Sequence, residues 1–229
     1  MPREPHFRPE MFAFLSELSS HNERDWFQAH KTRFEREVRA PLQRFVSDFG
    51  PRLRTISSQF IADPRPVGGS IFRMHRDTRF SKDKRPYKTW AAVQFRHAEG
   101  KDVRAPGFYL HLAPGNVFAG AGIWHPDGSA LQLIRDAIVE EPGAWKRAVT
   151  GKTFQSTYEL AGDSLSRAPR GLDPEHPLIA DLKRKDFIAV AQLTEEDALS
   201  PDFLTRYTGV ARAATPLMKF LTRALEVAW

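Results

Sequence analysis

The chain has 229 residues, of which 41% are hydrophobic and 27% charged, a balance that excludes a disordered protein and suffices for a sizeable core. It contains no cysteine, so disulfides and cysteine-ligated metal sites are excluded. No apolar run reaches the length of a membrane span, and the first residues lack the apolar stretch of a secretory signal. We therefore expect a cytoplasmic protein that does not bind membranes.

The first third of the chain predicts helices. Apolar residues recur at helical spacing between Phe12 and Leu18. Asn22 is predicted to cap the N-terminus of the next helix, and Pro41 fits the first turn of a longer one. In that longer helix the apolar residues between Leu42 and Ile56 form the clearest helical stripe in this half of the chain.

After the turn-rich residues 63–66 the pattern becomes that of strands. Strands are predicted near residues 67–76, 89–97, 107–113, 116–124 and 187–193. The turn at residues 113–116 predicts a hairpin, and the short links favour an antiparallel sheet. Phe108 and Leu110 are predicted to face the core and Tyr109 the opposite face. In the strand predicted near residues 116–124, Gly120 and Gly122 indicate either that another backbone or a ligand approaches closely or that the strand has a bulge.

Helical patterns return after the fourth strand. Asp127 and Pro142 begin a middle pair of helices, residues 162–177 have the composition of a loop, and the last helix carries apolar residues from Leu217 to Ala228. No internal repeat or linker interrupts the chain. The sequence therefore predicts one α+β domain over residues 1–229, in which N-terminal, middle and C-terminal helices pack on a mostly antiparallel sheet.

The positive charge of the chain is concentrated in one segment. The formal net charge is +6, and residues 73–88 hold seven basic side chains against two acidic ones, which leaves an excess of only one elsewhere. This basic loop joins two predicted strands, and loops held by rigid flanks often carry function. Arginine binds phosphate or carboxylate oxygens at two points, and clustered cations repel one another unless an anion is present.

We therefore predict that the basic loop binds a small phosphorylated or carboxylated ligand, with no metal and no cofactor. Paired aspartates would fix arginine side chains, and tyrosines would stack on the ligand or donate hydrogen bonds to it. The predicted anion-binding residues are Arg73, Arg76, Arg79, Lys82, Lys84 and Lys88, supported by Asp77, Asp83, Tyr87, Tyr109 and Arg135. The sequence does not predict a reaction or an oligomeric state.

Two other functions remain open for the same segment. Phe80 and Tyr87 stand beside basic residues, a mixture found in modules that bind single-stranded nucleic acid. The loop would also suit an interaction protein that docks an acidic partner. The plainest interpretation of a charge run is a solvated surface whose bases pair with nearby carboxylates.

Several motifs resemble those of one family. The most specific is Arg76 to Lys84 followed by Pro86-Tyr87-Lys88, and others are Asn22 with Trp26, Gly107 to Leu112, and residues 171–177. On these residues the chain resembles the family called domain of unknown function 2461, although His21 stands where a second asparagine is expected. The resemblance covers most of the chain. It implies a domain assignment and no activity.

Overall fold

The computed structural model of the chain describes residues 4–100 and 105–229. Five strands form one sheet in the order β1-β2-β3-β5-β4, and every neighbouring pair is antiparallel. Helices pack on this sheet, so the fold is α+β, as predicted. The strands are β1 (Ala91–Arg96), β2 (Gly107–Ala113), β3 (Asn116–Ile123), β4 (Glu159–Ala161) and β5 (Phe187–Leu193).

Along the chain, helices come before the first strand, between later strands and after the last strand. A π-helical turn, Glu35–Arg39, joins the third helix to the fourth. Within the described residues, no helix is both long and apolar enough to cross a membrane. The helices are α1 (Pro9–Ser20), α2 (Arg24–Ala29), α3 (Lys31–Phe34), α4 (Ala40–Ile56), α5 (Gly128–Glu140), α6 (Pro142–Thr150), α7 (Lys152–Gln155), α8 (Ile179–Leu182), α9 (Glu195–Leu199), α10 (Phe203–Ala213) and α11 (Thr215–Ala224).

Four of the predicted strands correspond closely to the observed ones. β2 and β5 have the predicted bounds, β3 ends one residue earlier, and β1 is shorter than the predicted 89–97. The predicted hairpin between β2 and β3 is present, with Ala113 opposite Asn116. The sequence pattern did not predict β4, because three residues are too few to show an alternation of apolar and polar side chains.

The predicted strand at residues 67–76 is wrong as a regular strand. These residues form an extended segment beside β1, with isolated bridges from Ile71 to Val93 and from His75 to Tyr87. A turn at its beginning and a bend at Met74 interrupt the ladder. The alternation in the sequence is that of a strand, but only part of the backbone is paired. The segment therefore lies at the β1 edge of the sheet.

One face of the sheet packs against the helices. Phe95 and Phe108 are buried on this face, and the ring of Phe49 in α4 lies 4.7 Å from that of Phe95 between centroids. From α10, the hydroxyl of Tyr207 donates to the backbone carbonyl of Tyr109 at 3.2 Å. Helices from both ends of the chain thus contribute to the same hydrophobic core as the sheet.

Asn22 does not cap α2, contrary to the prediction. The N-cap residue is Glu23, and Asn22 is buried beside the backbone of Tyr87. Its amide nitrogen donates to the Tyr87 carbonyl and its oxygen accepts from the Tyr87 N–H, both at 3.0 Å. This pair of hydrogen bonds attaches the end of the basic loop to the N-terminal helices.

Candidate functional site

The aspartates of the basic loop pair with three of its arginines. Arg79 binds Asp77 at 2.7 Å, and Arg76 and Arg85 both bind Asp83, at 2.6 and 2.8 Å. The Arg79 hydrogen bond lowers the pKa of Asp77 to about 2. Hydrogen bonds from Arg85, and then from Arg76, hold the pKa of Asp83 well below its usual range. These three guanidinium groups are therefore already matched with carboxylates.

The two lysines and the phenylalanine in the middle of the loop are exposed. Lys84 donates from Nζ to the carbonyl of Thr78 at 3.0 Å. Lys82 has no hydrogen bond or salt bridge within the described residues, and Phe80 is 96% exposed. The structure therefore does not gather all six predicted anion-binding residues in one cavity.

A cleft of about 730 Å³ lies between residues 66–75 and the N-terminal helices. This volume is within the range of small-molecule sites. Buried apolar side chains, including Phe27, Phe34 and Met74, form part of its wall. Its charged lining residues are five bases and one acid: Lys31, Arg39, Arg73, Lys88, Arg96 and Glu35.

Most of the cations in this cleft have no carboxylate partner among the described residues. Arg39 binds Glu35 at 2.6 Å, whereas the remaining four form no salt bridge within the part of the chain that the structure describes. They are Lys31, Arg73, Lys88 and Arg96. Cations that share a cleft repel one another. The cleft therefore has an unmatched positive charge that an anionic ligand would offset.

Lys88 is held at the cleft by several contacts. Its ammonium donates to the carbonyl oxygen of Arg73 at 2.9 Å and lies 5.0 Å from the ring centroid of Phe72 and 4.7 Å from that of Trp90. Burial, and then the charge of Arg73, lowers the pKa of Lys88. The two rings favour the charged form, since their faces attract cations. Lys88 is therefore a positioned cation rather than a mobile surface lysine.

Separate parts of the chain place the other cations. α3 carries Lys31, the π-helical turn carries Arg39, and β1 carries Arg96. π-Helical turns are rare and frequently occur at functional sites. Opposite them, the turn before the extended segment requires Gly69, because a Cβ there would collide with the backbone of Asp63 and Arg65. Sequence reasoning missed these three cations, since they lie on separate elements outside the most basic segment of the chain.

A smaller cleft of about 400 Å³ lies within the basic loop itself. Arg76 and Arg85 line it together with Asp77 and Asp83, so carboxylates already occupy its lining. The Tyr87 side chain is buried, and its ring stacks on Phe27 at 4.1 Å between centroids. Tyr87 thus packs in the core.

Arg135 lies apart from both clefts, so its predicted role in anion binding needs correction. It is buried on α5, where Nε donates to the carbonyl of Leu182 at 2.8 Å and Nη2 donates to that of Arg184 at 3.1 Å. Burial lowers its pKa. The guanidinium satisfies backbone carbonyls at residues 182–184 and therefore has a structural role.

Tyr109 also lines neither cleft, because it lies on the sheet face opposite the helices. Its hydroxyl is 3.0 Å from Nδ1 of His111. Burial raises the pKa of Tyr109 and lowers that of His111 to about 4. Elsewhere in the described residues, no group of three or more histidines and carboxylates is placed to hold a metal ion.

Comparison with known families agrees with the motifs seen in the sequence. The family model described as conserved hypothetical protein (DUF2461) matches residues 10–220. The chain belongs to the DUF2461 family. No curated protein matches it significantly. The family description names no activity, so the function of this DUF2461 protein has to be inferred from the geometry of its cleft.

Proposed function

We propose that this DUF2461 protein binds a small phosphorylated or carboxylated ligand in the 730 Å³ cleft. The observation that supports this is the set of four cations that line the cleft and form no salt bridge with any described carboxylate. Two of them, Arg73 and Lys88, come from the basic loop, and Lys31 and Arg96 come from α3 and β1. A ligand with two or more negative charges would contact cations on both sides of the cleft.

The rest of the basic loop contributes mainly through its electric field. Arg76 and Arg79 are held by aspartates, and Lys82 and Lys84 are exposed outside the cleft. Cationic groups beside a cleft raise the local concentration of anions and the rate at which they enter. The loop thus attracts the ligand, and only its first and last residues, Arg73 and Lys88, contact it.

Calorimetric titration with citrate and with inorganic phosphate tests this function. We expect binding at low ionic strength that weakens as salt is added, because exposed charges are screened. Arg73→Gln and Lys88→Gln should each weaken citrate binding about tenfold, which corresponds to about 1.4 kcal/mol for one charged contact.

Lys82→Gln is the matched control, since it removes the same charge from the same loop but outside the cleft. We expect it to change the affinity by less than about twofold. The proposal is wrong if neither anion binds at low ionic strength, or if Lys82→Gln weakens binding as much as Lys88→Gln does. Tight, salt-sensitive binding of single-stranded DNA that all three variants weaken equally would favour the nucleic-acid alternative.

A further inference from the structure

The extended segment beside β1 has its backbone paired on one side. The N–H of Phe72 donates to the carbonyl of Ala92 at 3.0 Å, and the N–H of Arg76 donates to that of Pro86 at 2.8 Å. Successive backbone groups of an extended chain point to opposite sides. The segment is thus paired with β1 at its beginning and with residues 86–88 at its end, and the N–H groups of the alternate residues point away from these partners.

The residues that carry those alternate amides line the cleft. Ile71, Arg73 and His75 all line it, and their N–H groups have no hydrogen-bond partner within residues 4–100 and 105–229. An unpaired strand edge is a template for another strand, because each free N–H and C=O can bond to an added backbone. The cleft separates this edge from the helices opposite, which leaves room for such a strand.

The charge of the cleft determines which side chains an added peptide strand should carry. Alternate side chains of an added strand would point to the same side, about 7 Å apart, so a run of alternating carboxylates would present them in a row. Four cations without a salt bridge in the described residues line the same cleft: Arg73 and Lys88 on the loop, Arg96 on β1, and Lys31 on α3. Small anions would satisfy these cations but leave the three amides unpaired.

We propose that the ligand of this cleft is an extended acidic peptide segment that adds to the sheet as a strand beside residues 71–75. This inference rests on the proposed anion-binding function and names the class of ligand. Carbonyl groups of the peptide accept hydrogen bonds from the free amides, while its carboxylates contact the unmatched cations. Five fully extended residues would span about 17 Å, and the bend at Met74 makes this edge shorter, so a hexapeptide would cover it.

The test uses synthetic hexapeptides of alternating glutamate and valine, acetylated and amidated at their ends. Calorimetry should show the glutamate–valine peptide binding at least about tenfold more tightly than glutarate, a free dicarboxylate. A lysine–valine peptide of the same length should not bind. In strand addition only alternate peptide N–H groups face the edge. N-methylation of one alternate set should therefore weaken binding at least about tenfold, and methylation of the other set less than about threefold.

The outcomes separate this inference from the function on which it rests. If glutarate or citrate binds but the peptide binds no more tightly, or if both sets of N-methyl groups weaken it equally, the acidic strand is wrong and the anion site stands. If no anion and no peptide binds, both are wrong. Light scattering that shows a dimer unable to bind the peptide would assign the edge to a second copy of the chain and overturn the inference.

Discussion

Single polar side chains hold distant parts of the backbone together in this fold. Asn22 bonds both polar groups of the Tyr87 backbone. The buried carboxylate of Asp186 accepts from the N–H groups of His125 and Asp163 at 2.8 and 2.9 Å. Each of these partners lies far along the chain, so no local pattern shows them. The prediction that Asn22 caps a helix used the correct chemistry of an asparagine side chain but assigned it the wrong partner.

Asn22→Leu tests the importance of this contact for stability. Leucine has a similar size but leaves the buried N–H and C=O of Tyr87 unpaired, and an unsatisfied buried group costs about 1–3 kcal/mol. We expect the free energy of unfolding in urea to fall by about 2–4 kcal/mol. Asn116→Leu, at the exposed hairpin, should change it by less than about 0.5 kcal/mol. Equal losses in the two variants would show that the Asn22 bridge is not important.

At the scale of elements, periodicity predicted the regular strands and failed where the backbone leaves the ladder. Residues 67–76 alternate like a strand, yet a glycine turn and a bend at Met74 reduce their pairing to isolated bridges. In β3 the sequence left open a bulge or a close approach at Gly122. The structure shows the close approach, since a Cβ there would overlap the carbonyl oxygen of Phe187 on β5.

Gly122→Ala should therefore be strongly destabilising. Gly122 has a φ of 123°, which L-residues rarely adopt, and the new methyl group would push β3 away from β5. Backbone strain and overpacking each cost about 1–3 kcal/mol, so we expect the free energy of unfolding to fall by about 2–5 kcal/mol.

Gly128→Ala is the matched glycine control. This residue begins α5, and an added Cβ meets no described atom within 4 Å. The substitution should change the free energy of unfolding by no more than about 1 kcal/mol. A small effect at Gly122, measured by the same urea titration, would contradict the close packing of β3 and β5.

At the scale of the whole molecule, the two ends of the chain meet in the same core. Phe7 and Phe203 have ring centroids 5.7 Å apart, and Phe45 lies 5.5 Å from Tyr207. Near the other end of the sheet, Nε2 of His97 lies 2.8 Å from the carbonyl oxygen of Ala228. N-terminal helices, sheet and C-terminal helices therefore support one another, and we expect them to unfold together as one domain.

Scanning calorimetry tests the prediction that the chain unfolds as a single domain. The calorimetric enthalpy of unfolding should equal the van't Hoff enthalpy, which is the signature of one cooperative transition. Urea unfolding followed by tryptophan fluorescence and by far-UV circular dichroism should give coincident curves. Two separated transitions would show that the chain consists of more than one cooperative unit.

The sequence by itself determined the α+β class, the four longer strands, the family and the concentration of charge at residues 73–88. The class, the strands and the charge follow from local periodicity and composition, whereas the family follows from the resemblance of particular motifs, and the order of residues contains all of these directly. Only the tertiary structure decided which charges meet. Asp77 and Asp83 pair with three of the seven bases of the loop, while Lys31 and Arg96 come from distant elements to join Arg73 and Lys88 at the cleft. The direction of each side chain and the free edge of the sheet depend on the path of the whole backbone, which no local pattern specifies.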